Sequence, residues 1–342
     1  MYLQENCSLT HLSSFALPAI APKLYELTST DDLSLFDSLA GENIYILGEG
    51  TNTLFVEEKT PIIVRLLLKG ISVTETDDNF LVTAACGENW HQLVEFCLER
   101  GINGLENLAL IPGSVGAAPI QNIGAYGVEL SDFLQSVHWY EFATATEKCI
   151  DRSDCAFGYR DSVFKQALKD KGVITKVTLA LPKLWQPVKS YAGLHELPEH
   201  VTGKEIFQKV IEIRQQKLPD PKEIPNAGSF FKNPVISKAT FQSLRQRYEQ
   251  IPHYVLSDSL IKLPAAWLIE QAGFKGQVVG KAGVHERQAL VLVNRGGATG
   301  ADVISLAQQI ISTVLQNFGI RLEQEVRTVG QSGFQMIEVC GG

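Results

Sequence analysis

The sequence has no long apolar run and no excess of positive charge. None of its apolar stretches approaches the roughly 20 residues that a membrane-spanning helix needs. Lys and Arg total 30 against 38 Asp and Glu, which gives a net charge of −8. Such an acidic chain has no general attraction to nucleic acids or anionic membranes, so an anionic ligand must be bound by a local group of cations. We therefore expect small-molecule ligands, with no nucleic-acid or membrane partner.

The sequence also lacks the common motifs of metal sites, redox-active cysteines and serine hydrolases. The six cysteines form no CxxC pair, and the seven histidines form neither an HExxH motif nor a cluster with cysteine. No GxSxG motif marks a hydrolase nucleophile. These absences argue against a metal enzyme and favour reduced cysteines without a catalytic role.

A short apolar stretch near the start, FALPAIA, lacks the features of a signal peptide. The first Lys or Arg of the chain is Lys23, and Pro18 interrupts the stretch. A secretory signal needs a basic segment followed by an unbroken apolar one. A cytoplasmic location is therefore expected.

The composition is that of an ordinary globular protein, with 45% apolar and 20% charged residues over 342 positions. That length accommodates about two or three domains. Strand and helix patterns alternate, which predicts α/β units in series and an α+β chain as a whole. A first unit is expected to end near residue 69, and the Pro-rich link Leu218–Pro221 is expected to mark a second boundary.

Local patterns predict individual elements. Trp90, Leu93, Val94 and Cys97 have helical spacing, and Asn89 is a suitable cap for the start of that helix, with a glycine following its end. Further helices are expected around 265–272 and 301–318, a loop at 226–234, and strands at 44–47, 62–68, 80–85, 137–142, 173–181, 289–294 and 321–329.

Two glycine-containing segments are candidates for binding an anionic cofactor. The segment Asn107–Val128 contains no Asp, Glu, Lys or Arg, and its glycines would let main-chain N–H groups approach a phosphate. A buried connection between strands is the alternative interpretation. The turn GEGTN, Gly48–Asn52, follows a predicted strand, although an ordinary tight turn explains it about as well. Two such turns in successive α/β units would suit one extended dinucleotide.

Other segments carry residue types suited to an anionic substrate. In FGYRD, an arginine next to a tyrosine is suited to binding a carboxylate, and a surface ion pair of Arg160 with Asp161 is the alternative. The run NAGSFFKNP presents Ser229 beside a glycine. In LEQEVR, Glu325 alternates with apolar residues, and solvent exposure is the alternative there. Arg214 and Lys217 would, without further context, be interpreted as an exposed helix end.

Taken together, these segments resemble the UDP-N-acetylenolpyruvoylglucosamine reductases, flavoenzymes that complete UDP-N-acetylmuramate in bacterial cell-wall synthesis. The resemblance extends from about residue 10 to residue 330, and the Tyr191 segment with the region Arg214–Pro221 resembles the type I form. The motifs that carry it, in chain order, are ILGEGTN, GLENLALIPGSVGAAPIQNIGAYG, FGYRDSVFK, KLPDPK, NAGSFFKNP, AAWLIEQAG, VHERQALVLVN and LEQEVR.

The resemblance implies an FAD-binding fold of the p-cresol methylhydroxylase and vanillyl-alcohol oxidase type, followed by a C-terminal α/β substrate-binding domain. It implies FAD-binding subdomains at 1–69 and 70–218, a substrate-binding domain at 219–327, and a tail, 328–342, that packs back on the FAD-binding part. Covalent relatives in that superfamily attach flavin through a histidine of the first glycine turn. That turn has no histidine here, so FAD is expected to bind non-covalently. A monomer is expected.

The resemblance also implies a reaction and a set of site residues. Hydride from NADPH would pass through FAD to C3 of the enolpyruvyl group of UDP-N-acetyl-3-O-(1-carboxyvinyl)-glucosamine. Arg160 would bind the carboxylate, Glu325, in its protonated form, would stabilise the enolic intermediate, and Ser229 would protonate C2. Contacts to FAD are expected at Gly48, Glu49, Gly50, Thr51, Asn52, Gly113, Gly116, Ile120, Gln121, Ile123, Gly124 and Arg327, and contacts to the substrate at Tyr159, Tyr191, Arg214, Lys217, Asn233 and Gln288.

The sequence departs from the family pattern at two positions, and it leaves two alternative functions open. Ala117 and Ala118 stand where some relatives carry serine, so no side-chain contact to FAD is implied there. The sequence alone leaves open a flavin-dependent oxidase of a sugar or alditol. It also leaves open a non-catalytic UDP-sugar-binding module, although the joint retention of Arg160, Ser229 and Glu325 argues against that function.

Overall fold

The computed structural model describes residues 1–191 and 193–338 of the chain. Its helices are α1 (Leu35–Ser38), α2 (Trp90–Glu99), α3 (Gly203–Lys217), α4 (Lys238–Arg247), α5 (Ala265–Gln271) and α6 (Gly300–Phe318). Its strands are β1 (Tyr2–Ser8), β2 (Ile20–Leu27), β3 (Ile44–Ile46), β4 (Thr53–Phe55), β5 (Ile62–Leu66), β6 (Ile71–Glu75), β7 (Asn79–Ala85), β8 (Gly124–Ala125), β9 (Val128–Glu129), β10 (Leu134–Glu141), β11 (Thr146–Asp151), β12 (Gly172–Pro182), β13 (Asn226–Ser229), β14 (Val235–Ser237), β15 (Tyr254–Val255), β16 (Leu260–Lys262), β17 (Val278–Val279), β18 (Ala282–Val284), β19 (Val291–Asn294), β20 (Arg327–Gly330) and β21 (Gly333–Gln335).

The chain folds into two compact units, and each contains segments that are distant in sequence. The first unit comprises Met1–Cys7, Pro22–Glu49 and Ile62–Gln216. The second comprises Ser8–Ala21, Gly50–Pro61 and the described part of Lys217–Gly342.

The first unit contains two main sheets. A four-stranded sheet has the order β1-β2-β5-β3, in which β5 pairs in parallel with both β2 and β3. A five-stranded antiparallel sheet has the order β11-β10-β12-β7-β6. Apolar side chains of α2, α3 and the glycine-rich segment pack with the larger sheet in one core, and a smaller core lies around Phe36, Val64 and Tyr140.

The second unit is built around the long helix α6. Its sheets have the orders β13-β19-β18-β17, β14-β16-β15 and β21-β20-β4. Thr299 caps α6 in a capping box with Asp302, and Gly319 ends the helix in the left-handed conformation, φ +69. The buried face of α6, from Val303 to Phe318, joins a core with α4, α5 and the sheet strands.

Most predicted elements are confirmed to within a few residues. For α2, the side chain of Asn89 accepts a hydrogen bond from Gln92 N at 3.0 Å, and Gly101 follows the helix with φ +71. The helices predicted at 265–272 and 301–318 are α5 and α6. The architecture is α+β, as the sequence predicts. Among the described residues, no helix combines the length and hydropathy of a membrane span.

Two predictions of secondary structure are wrong in part. Only Arg327–Gly330 of the strand predicted at 321–329 forms a strand, because the residues before it make a single isolated bridge, Gln324 with Phe231. Their burial still alternates, with Leu322 and Gln324 buried and Glu323 exposed. The loop predicted at 226–234 begins with strand β13, which pairs with β19.

Candidate functional site

The first two residues of the glycine turn, Gly48 and Glu49, adjoin the charge-free segment in the first unit. A Cβ atom added to Gly48 would lie 3.0 Å from Ser114 Oγ and 3.7 Å from Ala117 Cβ. The carboxylate of Glu49 accepts hydrogen bonds of 2.9 and 3.1 Å from Nδ2 of Asn89, the residue that caps α2. The turn after β3 therefore contacts the charge-free segment, an arrangement that suits one extended dinucleotide.

The glycines of the charge-free segment let its main chain pack closely against the rest of the first unit. Gly116 N donates to Cys86 O at 2.9 Å, and a Cβ added to Gly116 would lie 2.5 Å from Cys86 Cβ. Gly113 has φ +126, and its carbonyl accepts from Trp90 N at 2.9 Å. Close packing thus accounts for Gly116, and the positive φ accounts for Gly113. Of the predicted FAD contacts in this segment, Gly113 and Ile123 are buried, and Gly116, Ile120, Gln121 and Gly124 are half-buried.

We expect Gly116→Ala to destabilise the protein by about 1–3 kcal/mol, because the new methyl group would overlap the buried Cys86. Urea unfolding followed by circular dichroism would measure this. Gly158→Ala is the matched control, since its Cβ would meet only Asp161 Cβ at 3.7 Å, an ordinary contact. Equal stability of the two variants would contradict the prediction.

The later residues of the first glycine turn belong to the second unit. Gly50 is buried at φ +69, and Thr51 is half-buried. Asn52 O accepts a hydrogen bond from Arg327 N at 3.0 Å, and Asn52 Nδ2 donates to Glu325 O at 3.4 Å. The fold therefore brings Asn52, Glu325 and Arg327 together, although they are far apart in sequence.

Arg160 is held against the charge-free segment of the first unit. Its Nη2 donates to Gly124 O at 2.7 Å, and its Nη1 donates to Asn122 O at 3.3 Å. The carboxylate of Asp161 accepts from Gln166 Nε2 at 2.9 and 3.1 Å. Arg160 has φ +54, a left-handed conformation that is costly for a non-glycine residue. The guanidinium group is half-buried beside the predicted cofactor segment.

Arg214, Tyr126 and Tyr191 lie in the same unit as Arg160 and form a polar group with it. The hydroxyl of Tyr126 is hydrogen-bonded to Arg214, and the rings of Tyr126 and Tyr191 lie edge-on with centres 5.0 Å apart. Loss of solvation lowers the pKa of Arg214, the nearby Tyr126 opposes this shift, and the positive charge of Arg160 lowers the pKa further. Burial raises the pKa of Tyr126. Two half-buried guanidinium groups that repel each other favour the binding of an anion.

Two further predicted substrate contacts, Tyr159 and Lys217, are close in sequence to Arg160 and Arg214. The Cζ atom of Arg160 lies 5.5 Å from the centre of the Tyr159 ring, within the range of a cation–π interaction. Lys217 is the last residue of α3 and is exposed. A lysine at a helix end is a mobile point charge, whereas Arg214, one turn earlier, is held in place.

Ser229 and Glu325 lie on neighbouring segments of the second unit. Ser229 ends β13 opposite Val291 of β19. The carbonyl of the next residue, Phe230, accepts a hydrogen bond from Glu325 N at 2.8 Å. Ser229 and Glu325 are both half-buried. A hydroxyl and a carboxyl group thus come from segments whose main chains are directly hydrogen-bonded.

Asn233 and Gln288 also lie in the second unit, and both have local structural bonds. Asn233 Oδ1 accepts from Ala265 N at 2.8 Å at the start of α5. Gln288 O accepts from Val291 N at 3.0 Å, and its Oε1 accepts from Leu290 N at 3.3 Å. Gln288 is therefore close to the strand residue that faces Ser229.

The sequence alone did not single out Tyr126 and Asn122, which contact the two arginines Arg214 and Arg160. Both lie in the charge-free segment at positive φ, +52 and +44. Asn122 Nδ2 donates to Glu129 Oε2 at 2.8 Å and to Gly158 O at 3.2 Å, which ties the segment to the loop of Arg160. The sequence signal was a polar or aromatic side chain between glycines in a segment without charge. Among the described residues, no three His, Cys, Asp or Glu are grouped to hold a metal ion.

Comparisons with known proteins assign the two parts of the chain. Residues 24–153 match the FAD binding domain family, and residues 220–329 match the family described as UDP-N-acetylenolpyruvoylglucosamine reductase, C-terminal domain. A protein of that name from Idiomarina loihiensis is 49% identical over 335 residues, which cover 97% of this chain and 98% of the relative. This chain belongs to the UDP-N-acetylenolpyruvoylglucosamine reductase family.

Other relatives agree with this assignment. The reductase from Shewanella baltica is 50% identical over 289 residues, 84% of this chain and 85% of the relative. The crystal structure of UDP-N-acetylenolpyruvylglucosamine reductase from Thermus caldophilus has the same fold, with a TM-score of 0.66 at 23% identity over 96% of this chain and 99% of that one. The chain is thus an FAD-dependent oxidoreductase of peptidoglycan precursor synthesis, and the resemblance stated from its motifs is confirmed.

The residues present fit FAD. Gly48 contacts the segment around Ser114 and Ala117, so two main-chain turns with no cationic side chain lie together. Ile120 and Gln121 beyond them are half-buried, which leaves an apolar and an amide side chain accessible to a flat ring. Ile120 is itself held by Ser162, whose Oγ donates to its carbonyl at 2.6 Å.

Proposed function

We propose that Arg160, Ser229 and Glu325 carry the chemistry by which this reductase converts UDP-N-acetyl-3-O-(1-carboxyvinyl)-glucosamine to UDP-N-acetylmuramate. The observation that supports this proposal is the main-chain hydrogen bond of 2.8 Å from Glu325 N to Phe230 O, which joins the segment of Glu325 to the segment of Ser229. FAD bound without a covalent link supplies two-electron chemistry, with hydride from NADPH delivered to C3 of the enolpyruvyl group. The twelve predicted FAD contacts, of which Gly48 is the first and Arg327 the last in the chain, would hold the FAD.

Arg160 binds the carboxylate of the enolpyruvyl group. Hydride addition at C3 leaves negative charge at C2 that spreads into this carboxylate. A planar guanidinium group gives paired hydrogen bonds to a carboxylate, and the carbonyls of Gly124 and Asn122 fix its orientation. Because the group is oriented before the charge develops, it stabilises the intermediate without reorganisation.

Ser229 and Glu325 act on the intermediate that hydride addition leaves. The Ser229 hydroxyl donates its proton to C2, which completes the reduction, and the serine regains a proton from water. Glu325, in its protonated form, donates a hydrogen bond to the enolic oxygen. A serine hydroxyl is a weak acid, but an enolate carbon in a site with little water is basic enough to accept its proton.

The diphosphate and sugar bind to the remaining polar residues. Arg214 and Lys217 supply the local positive charge that the acidic chain otherwise lacks. Tyr159, Tyr191, Asn233 and Gln288 complete the substrate contacts. The half-buried Arg214 beside Arg160 supports this part of the proposal, because such a pair favours an anion.

Lys217→Ala is expected to raise the KM for the UDP-sugar about 10- to 100-fold with little change in kcat, because a charge-assisted hydrogen bond to the diphosphate is lost. Steady-state kinetics with varied substrate would measure both constants. Lys204→Ala, an exposed lysine in the first turn of the same helix, is the control. An unchanged KM would exclude Lys217 from diphosphate binding.

Anaerobic stopped-flow spectroscopy tests the proposed function as a whole. The yellow enzyme should be bleached by NADPH and should regain its colour rapidly when the enolpyruvyl substrate is added. Denaturation should release free FAD into the supernatant. Turnover with oxygen and a polyol, in place of the enolpyruvyl substrate, would contradict the proposal.

The domain boundaries at residues 69, 218 and 327 belong to the same proposal. The parallel pairing of β20 with β4 supports a tail that packs back on the predicted FAD-binding part. The proposal also includes a cytoplasmic monomer without nucleic-acid or membrane partners, supported by the net charge of −8. Light scattering after size-exclusion chromatography would test the monomer.

A further inference from the structure

Strand β13 contains an irregularity immediately before Ser229. In its antiparallel pairing with β19, Asn226 faces Val293 and Ser229 faces Val291. Three steps along β13 therefore correspond to two steps along β19, which is a β-bulge with one extra residue. Side chains alternate between the two faces of a strand, so one extra residue reverses the face on which every later side chain lies. The direction of the Ser229 side chain thus depends on the bulge.

Gly228 provides the backbone conformation of the bulge. It has φ +71, and a Cβ atom added to it would meet no atom within 4 Å. The left-handed conformation therefore favours glycine there, and lack of space does not. Nothing in the surrounding packing would prevent a side chain at this position.

Asn226 holds the bulge with its side chain. It is only 2% exposed, and its Oδ1 accepts a hydrogen bond from Gly228 N at 2.9 Å. Its Nδ2 donates to Ile224 O at 2.8 Å and to Pro219 O at 3.3 Å. One buried amide thus fixes the turn at Gly228 and anchors it to the chain before β13.

The chain after the bulge is also fixed. Phe230 N donates to Leu290 O, and Phe230 O accepts from Glu325 N, both at 2.8 Å. Ser229 therefore lies between a bulge held by Asn226 and a residue bonded on both sides. A change in the bulge alters the direction of the Ser229 side chain without displacing Phe230.

We propose that Asn226 is a positioning residue, whose side chain holds the bulge at Gly228 so that the Ser229 hydroxyl is directed at C2 of the substrate. This inference rests on the proposed function of Ser229 as proton donor. It assigns to the asparagine and the glycine of the motif NAGS the task of orienting the serine.

The test uses Asn226→Ala and Gly228→Ala in the FAD-loaded enzyme. Both variants should be reduced by NADPH near the wild-type rate and should bind substrate with a near wild-type Kd. Their reoxidation by substrate should be slower by about 10²-fold, the effect of a misdirected catalytic group. The solvent deuterium isotope effect on this step should increase, because proton transfer becomes more strongly rate-limiting. Gly228→Asn, which tolerates the left-handed conformation, should restore much of the rate.

Gly319→Ala is the matched control. Gly319 lies in the same unit at φ +69, and a Cβ added to it would also meet no atom within 4 Å. Its substitution should lower Tm about as much as Gly228→Ala and should leave both half-reactions unchanged. If Gly228→Ala and Asn226→Ala slow reoxidation no more than Gly319→Ala, the inference is wrong.

Ser229→Ala separates failure of this inference from failure of the proposed function. In the Ser229→Ala background, Asn226→Ala should cause no further loss of rate, since the group that it positions is absent. Slow reoxidation in Ser229→Ala, together with normal rates in the two positioning variants, would reject only the role of Asn226. Normal reoxidation in Ser229→Ala itself would reject the proton donor.

Discussion

Ser229→Ala is expected to slow reoxidation of the reduced enzyme by substrate by about 10²–10⁴-fold, the usual contribution of a positioned acid. Reduction by NADPH should stay near the wild-type rate, because that half-reaction needs no proton at C2. The hydrogen bond from Glu325 N to Phe230 O joins main-chain atoms only, so loss of the Ser229 hydroxyl should leave it intact. Anaerobic stopped-flow measurement of each half-reaction separates the two effects.

The control for this experiment is Ser243→Ala, an exposed serine on α4 whose Oγ donates only to the main chain of its own helix. It should leave both half-reactions unchanged. Equal slowing of reduction and reoxidation in Ser229→Ala would instead indicate a general distortion of the site, and Ser229 would lose its assignment as proton donor.

Features that depend on nearby residues could be predicted from the sequence. The cap of α2 requires only Asn89 and the amide of Gln92, three positions later, and it was predicted and is confirmed. The ends of α5 and α6 follow in the same way from local apolar spacing and a terminal glycine. Such signals are contained within one or two turns of the chain.

Features that depend on distant residues could not be predicted in this way. The sequence predicts a loop at 226–234, whereas Asn226–Ser229 forms a strand, because pairing with β19 outweighs the preference of asparagine and glycine for turns. The segment before β20 alternates like a strand, but its pairing with the Phe230 segment is limited to one isolated bridge, Gln324 with Phe231, and the hydrogen bonds beside it. Alternation predicts which side chains are buried and does not supply a partner strand.

The same limit applies to the site. The chemistry of Arg160, Ser229 and Glu325 was inferred from a resemblance carried by motifs, and the comparisons confirm the family. No motif indicates that Tyr126 bonds to Arg214, because these residues come from different elements of the first unit. A residue that orients a catalytic side chain, as we propose for Asn226, can be recognised only when its hydrogen bonds are known.

Arg160→Lys is expected to lower kcat/KM for the UDP-sugar by about 10–10²-fold, since the paired hydrogen bonds to the carboxylate are reduced to one and a hydrogen bond to a charged group contributes about 1.5–3 kcal/mol. Lysine keeps the charge, but it cannot bond Gly124 O and Asn122 O at once while it binds a carboxylate in a paired arrangement. The backbone cost at φ +54 is the same for both side chains, so the substitution isolates the geometry of the guanidinium group.

Arg152→Lys provides the comparison for this variant, because Arg152 is an exposed arginine of the same unit whose Nε donates to Ser131 O. That substitution should leave kcat/KM unchanged. In Arg160→Ala, added guanidinium ion should restore part of the reoxidation rate by occupying the vacated position beside Gly124, and an equal concentration of ammonium should restore less. Wild-type kcat/KM in Arg160→Lys would mean that charge alone suffices, and the paired binding of the carboxylate by Arg160 would then be wrong.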